Sequence, residues 1–345
     1  MERGIYTRTE IFSQPEAWAQ ALEVVAQQRP RLEVLLRADY DQVLFTGCGS
    51  TYYLSLAAAA LFQELTGRIA RAVPGGELLL NPQTVVSGTS AGKTLLVAIS
   101  RSGSTTETVR AVEQFKQQKR GSVIVITNYG DQPLAGLADI PLVIEKGQEK
   151  SVAQTRSFAS MYVAATAMAA LASGDETLLK TMADLPDAGR KLLATYEPLA
   201  RMFGENLAID RFYFLGSGGR YGLACEVNLK MKEMTLTHSE PFHFLEFRHG
   251  PMSMVTDSAV VVGLLSEKNF NHETAVLNEM QAKGSAILTL GETETTVAFG
   301  SGIPESVRGV LYLPILQLMA FYRSLVKDLN PDSPNNLTAV IKLDL

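Results

Sequence analysis

Between Glu226 and Pro251 the chain reads EVNLKMKEMTLTHSEPFHFLEFRHGP, a segment that holds three of the four histidines among carboxylates, cations and apolar residues. Glu226, Lys230 and Glu233 fall at i, i+4 and i+7, which on a helix lines one face. Two readings of that face stand at this point. It is either a solvated stripe of Glu–Lys pairs or a proton-transfer face set in apolar surroundings. Leu229, Met231 and Met234 favour the second. A carboxylate in such surroundings has its charged form disfavoured, which moves it toward the range useful to a general base, and a lysine beside it can stabilise a developing oxyanion. His249 stands just before Gly-Pro, at a bend from which a side chain can project. The histidine spacings of five (His238 to His243) and six (His243 to His249) match no common ligand pattern, so no metal is expected.

A second chemical stretch is AISRSGSTTET, residues 98–108. A strand ending at Ile99 is followed by Ser100, Arg101, Ser102, Gly103, Ser104, Thr105 and Thr106, and then by a helical pattern. One hydroxyl would serve as an N-cap. Five hydroxyls around a glycine, ahead of a helix N-terminus with its unpaired N–H groups, fit an anion such as a phosphate ester. TGCGSTYY (46–53) repeats the logic, with Gly47 and Gly49 loosening the turn and Ser50 and Thr51 supplying hydroxyls. It is not a dinucleotide fingerprint. Tyr52 sits where the third glycine would be, and no acidic residue stands at a convincing ribose position. There is no GxxxxGK[ST] either.

The elements that must carry these residues alternate strand and helix, the pattern of a parallel α/β fold. The order of motifs also occurs twice. QVLFTGCGSTYYLSLAAAA is matched by RFYFLGSGGRYGLACEVNL, pairing Gly47 with Gly216, Gly49 with Gly218 and Tyr52 with Tyr221. TLLVAISRSGSTTETVR is matched by AVVVGLLSEKNFNHETAV, pairing Ser100 with Ser266 and Glu107 with Glu273. GSVIVIT is matched by GSAILTL. The spacing predicts two tandem doubly wound α/β domains, 1–190 carrying the anion loop and 191–345 carrying the acid–base segment and the tail.

The 345 residues, 46% apolar and 19% charged with a net charge of −5, suit a globular protein with scattered charge. A basic nucleic-acid face is excluded, so the anion site must be local. MERGIYTRTEIFSQPEAW has no apolar h-region, and Met161–Ser173 is too short to span a bilayer and reads as a buried helix. Two cysteines, Cys48 and Cys225, suggest no disulfide framework. The expectation is a cytoplasmic protein without membrane association.

The SxSGxT loop, VAQT at 152–155 and LKMKE…EFRHGP together resemble the sugar isomerase (SIS) family. The pattern is that of the isomerase half of glucosamine-6-phosphate synthases and of stand-alone glucosamine-6-phosphate deaminases. The resemblance implies that Ser100, Arg101, Ser102 and Thr105, helped by Ser50 and Thr51, hold a sugar 6-phosphate, and that Val152 and Thr155 line the pocket. It implies that Glu233 moves the proton between C1 and C2, that Lys230 lies near the sugar oxygens and that Glu226 is a second carboxylate beside them. It further implies that His249 assists ring opening from the neighbouring subunit of a homodimer with shared sites. No cofactor is implied. Two departures matter. The sequence opens directly on the sugar-domain pattern, so a chemistry without its own ammonia source is expected. The tail reads NNLTAVIK, with Ala339 where the synthases carry a lysine, and Lys342 could replace it only through a register shift. The expected activity is an aldose–ketose isomerase and deaminase acting on glucosamine 6-phosphate or a related amino-sugar phosphate. A plain ketose/aldose isomerase, a fructosamine-phosphate deglycase or a non-catalytic sugar-phosphate sensor are the alternatives.

Overall fold

Glycine-rich turns alternate with β-branched runs, and the strands these runs form assemble into two sheets. The computed structural model describes residues 3–86 and 93–343. Five strands, β1 (Gln42–Gly47), β2 (Ala70–Pro74), β3 (Thr94–Ser100), β4 (Gly121–Thr127) and β5 (Ile140–Val143), form a parallel sheet in the order 2-1-3-4-5. Five more, β6 (Arg211–Leu215), β7 (His238–Phe242), β8 (Ala259–Leu264), β9 (Ala286–Gly291) and β10 (Val297–Ala298), repeat it as 7-6-8-9-10, again all parallel. Parallel strands need crossover connections and are covered on both faces. This is why β3 and β8 are buried at every residue and read as unbroken apolar runs. The sequence repeat is therefore a structural repeat, and each copy is the doubly wound α/β sheet its spacing predicts.

Helices of eight or more residues are α1 (Ile5–Phe12), α2 (Gln14–Leu36), α3 (Ser50–Thr66), α4 (Thr106–Gln117), α5 (Arg156–Ser173), α6 (Leu185–Glu205), α7 (Gly219–Thr235), α8 (Phe270–Ala282) and α9 (Leu313–Val326). The apolar stretch 161–173 lies in α5 and is a core helix, as expected. A second apolar stretch, Gly309–Val326, is long enough to cross a membrane by composition, but 89% of it is buried inside the protein. It includes α9, which packs against α6 and α7. Gly204 allows that close approach, because a Cβ there would lie 2.5 Å from the Met319 carbonyl oxygen.

The chain forms two compact units. The first-repeat unit comprises residues 13–149, 156–183 and 338–345. The second-repeat unit comprises 1–12, 150–155 and 184–337. This interleaving differs from a single cut at 190/191 in four places: α1, the 150–155 strap and residues 184–190 belong with the second repeat, and the tail from Thr338 belongs with the first. The contacts responsible join residues far apart in sequence. The Thr7 N–H and hydroxyl each donate to Asp332 Oδ1 at 2.7 Å, and Val152 N–H donates to the Asp332 carbonyl at 3.0 Å.

Candidate active site

In the first-repeat unit the crevice between the ends of β1 and β3 is where a 2-1-3-4-5 sheet receives ligands. The turn after β1 is tight. Gly49, with φ 57° and ψ −125°, precedes α3, and a Cβ on Gly47 would collide with Thr51. Thr51 Oγ1 donates to the Cys48 carbonyl at 3.0 Å and accepts from Cys48 N–H at 2.9 Å, so this hydroxyl is committed to closing the turn. Ser50 is buried in the first turn of α3.

The loop after β3 gathers its hydroxyls. Ser100 Oγ lies 3.4 Å from Thr105 Oγ1, Ser102 Oγ lies 3.5 Å from the same atom, and Ser104 N–H donates to Ser102 Oγ at 3.2 Å. Gly103, at φ 63°, makes the bend and donates its N–H to Ser100 Oγ at 3.2 Å. Arg101 is turned away from this cluster. Its guanidinium donates to the Ala339 carbonyl at 2.6 Å and lies 3.9 Å from the Glu149 carboxylate. The tail continues across the head of α4, where Thr106 N–H reaches the Ile341 carbonyl at 3.5 Å and Leu343 N–H donates to Thr106 Oγ1 at 3.0 Å. Ala339 is thus part of the loop's surroundings, and Lys342, exposed, follows Ile341 at the same helix end.

In the second-repeat unit, α7 begins after the same turn. Gly218 has φ 58° and ψ −136°, and α7 has the same 17-residue length as α3. Glu226, Lys230 and Glu233 converge on one face as their spacing predicts. Lys230 Nζ is 3.4 Å from Glu226 Oε1 and donates to Glu233 Oε2. Side-chain exposure is 0% for Glu226, 1% for Lys230 and 20% for Glu233, so of the two carboxylates only Glu233 reaches the surface. The solvated-stripe reading therefore fails: the lysine is buried between two carboxylates, on a helix whose Leu223, Val227, Met231 and Met234 are also buried.

The far end of α7 is fixed by α9. Lys327 Nζ donates to the Thr235 carbonyl at 2.6 Å and Arg323 Nε to Thr237 Oγ1 at 2.7 Å, and Arg323 also reaches the Asn206 carbonyl at 3.0 Å. Burial holds the Arg323 and Lys327 pKa values below their ordinary ranges, and both side chains cap carbonyls at helix C-termini.

Val152 and Thr155 belong to a strap gripped by residues that local pattern did not flag. Glu10, buried in α1, accepts Lys150 N–H at 2.6 Å, Ser151 N–H at 3.3 Å and the Ser151 hydroxyl, and Gln317 Nε2 donates to the Thr155 carbonyl at 3.4 Å. His249 is exposed, between the short turn Glu246–Arg248 and Gly250 at φ 118°. Among the described residues no three His, Cys, Asp or Glu side chains are grouped to hold a metal. A groove of about 1070 Å³ beside α1 contains none of these site residues, and its guanidiniums are paired, Arg8 with Glu197 and Arg201 with Glu205.

The duplicated parallel sheets, with a hydroxyl loop in one and a buried carboxylate–lysine face in the other, define a tandem α/β class of protein. The chain belongs to the SIS family, whose pattern matches residues 37–171 and 208–298. Among curated relatives, the glutamine–fructose-6-phosphate aminotransferase (isomerizing) of Pyrococcus horikoshii is 28% identical over 99% of this chain. The match covers 59% of that relative, so this chain spans about three-fifths of its length. Among solved structures, the tagatose-6-phosphate ketose/aldose isomerase of Escherichia coli is 26% identical with a TM-score of 0.85, covering 96% of both chains. The glucosamine-6-phosphate deaminase of Thermotoga maritima is also 26% identical, with a TM-score of 0.76, covering 94% of this chain and all of that one. The chain is thus a member of a family whose relatives include proteins named as phosphosugar isomerases and a deaminase.

Proposed function

We propose that the protein converts an amino-sugar 6-phosphate, glucosamine 6-phosphate or a close relative, to fructose 6-phosphate and ammonia. The observation that carries this is the Glu226–Lys230–Glu233 face, in which one carboxylate is partly exposed and the lysine is locked beside it. The phosphate is held by the hydroxyls of Ser100, Ser102 and Thr105 with the N-terminal N–H groups of α4, and Ser50 adds to the same crevice. In this reading Thr51 contributes by shaping the turn, and Arg101 by holding the tail against the loop. Val152 and Thr155 line the sugar.

Glu233 takes the proton from C2 of the open-chain aldehyde and returns it to C1. Lys230 donates toward the oxygen that gathers charge, and Glu226 holds Lys230 protonated. The resulting C2 imine takes up water and releases ammonia and the ketose. His249 assists ring opening. Its exposure and its place before Gly-Pro suit a residue that serves the site of a partner copy in a homodimer. A second reading, ketose/aldose isomerisation without nitrogen, is favoured by the likeness to the tagatose-6-phosphate isomerase, since the same base and lysine serve either substrate.

The test is a screen of hexosamine and hexose 6-phosphates, with ammonia and ketose measured separately. Ketose with equimolar ammonia supports deamination. Ketose–aldose interconversion without ammonia selects the second reading, and tight binding with no solvent deuterium exchange at C1 overturns both. Shared sites are tested by mixing inactive Glu233→Gln with inactive His249→Ala. Partial recovery is expected, and none after proven subunit exchange rejects the shared site.

A further inference from the structure

The second repeat keeps the backbone of an anion site, with its donors bonded to carboxylates of the chain itself. Its loop after β8 bends as the first does: Asn269 N–H donates to Ser266 Oγ at 2.9 Å, the counterpart of Gly103 to Ser100. The N–H groups that such a loop turns toward a ligand are, however, already taken. Ser266 N–H and hydroxyl donate to Glu273 Oε2 at 2.7 and 3.1 Å, and Glu267 N–H donates to Glu305 Oε2 at 3.0 Å. Arg220 stands where the first repeat has Thr51. It bridges both carboxylates, 3.3 Å from Glu273 Oε1 and in hydrogen bond with Glu305, and its Nε is buried without a further partner. Glu267 in turn is held 2.8 Å from Arg308, whose Nε lies 3.5 Å from Glu292.

In the first repeat the counterpart of Glu273 is Glu107. Its Oε2 has no hydrogen-bond partner among the described residues, and no arginine stands at the position of Arg220. The hydroxyls there bond mainly to one another. Two carboxylates, two loop N–H groups, a serine hydroxyl and a guanidinium in the second repeat reproduce the donors and the charge of a bound phosphate ester from within the chain.

We infer that Glu273 and Glu305 are internal ligands occupying a second phosphate-ester site, so that the chain accepts one phosphate ester per subunit and holds a latent site in its second repeat. Removing the two carboxylates leaves Ser266 N–H, Glu267 N–H, the Ser266 hydroxyl and the Arg220 guanidinium facing an opened crevice. The inference rests on the proposed phosphate role of the first loop only for the assignment of the first binding event.

The experiment is calorimetric titration of full-length protein with inorganic phosphate and, separately, with fructose 6-phosphate. Wild type is expected to bind one equivalent per chain. Glu273→Ala with Glu305→Ala is expected to bind a second, and Arg220→Ala added to that pair should weaken the new site at least about tenfold while leaving the first unchanged. Glu273→Ala alone keeps a carboxylate on Arg220 and should give a weaker second event. Where the double alanine variant does not fold, Glu273→Gln with Glu305→Gln removes the same charges at constant shape. Phosphate should then raise its Tm more than that of wild type. A folded variant with unchanged stoichiometry and unchanged phosphate response overturns the inference, as does wild type binding two equivalents. Absence of the first event in wild type instead refutes the phosphate role of the 100–105 loop.

Discussion

Helices α3 and α7 are the same object built twice. Each has 17 residues, each starts after a glycine near φ 58°, and each ends at a residue in the left-handed region, Gly67 in one and Leu236 in the other. Position by position, Ala57, Leu61 and Glu64 of α3 correspond to Glu226, Lys230 and Glu233 of α7. Glu64 is exposed, and its helix neighbour Leu61 is core. A carboxylate at this position is therefore unremarkable in itself. The difference in α7 is the buried lysine beneath it, backed by a second carboxylate, which on the proposed mechanism positions Glu233 as the base. On that reading two substitutions in a duplicated scaffold separate a structural helix from a chemical one.

That comparison is broken most severely by Glu233→Gln. It keeps shape and hydrogen bonding but cannot take a proton, so kcat should fall by at least about 10²–10⁴-fold with KM nearly unchanged, and deuterium should no longer enter C1 of the ketose. Loss through KM instead would make Glu233 a binding group.

Next in size is Lys230→Met. It leaves Glu226 buried with its cation gone, and stability in denaturant should drop by about 3–5 kcal/mol. Rewriting the face as α3, Glu226→Ala with Lys230→Leu, should instead be neutral or stabilising by up to about 4 kcal/mol while abolishing turnover. A double variant as unstable as Lys230→Met would mean that the triad holds the fold together.

Smaller again, Ser102→Ala with Thr105→Ala should raise KM for the phosphorylated sugar about 10²-fold, from two lost hydrogen bonds to an anion at about 1.5 kcal/mol each, and barely touch kcat. Equivalent changes at the filled loop of the second repeat should leave KM alone. The smallest effect concerns Cys225 of α7, whose thiol burial pushes up to about 11. Below that pH it stays protonated, so iodoacetamide at pH 8 should leave Cys225 unmodified in the folded protein and alkylate it on unfolding.

Much of this was legible because it is local. The glycine turns, the hydroxyl run 100–106 and the i, i+4, i+7 face of α7 are periodic or contiguous features, and the internal repeat checked them twice. The contacts of Arg101 and Thr51 were not legible: Arg101 donates to the Ala339 carbonyl, 238 residues away, and Thr51 to the Cys48 carbonyl within the turn's own geometry. Glu10 was missed for the same reason. Its partners, Lys150 and Ser151, lie 140 and 141 residues on, and no period in α1 records them. The core role of Gly309–Val326 depends on packing against α6 and α7 that composition does not encode.

The exchange of terminal segments between the units sets an order of events during synthesis. The first repeat's strands are complete once β5 leaves the ribosome, but the tail contacts that Arg101 and Thr106 make with Ala339, Ile341 and Leu343 await residues made long afterwards. Conversely, α1 precedes all of these partners in sequence: Lys150 and Ser151 for Glu10, Glu197 for Arg8 and Asp332 for Thr7. The hydroxyl loop of the first repeat thus gains part of its surroundings only from residues made some two hundred positions later.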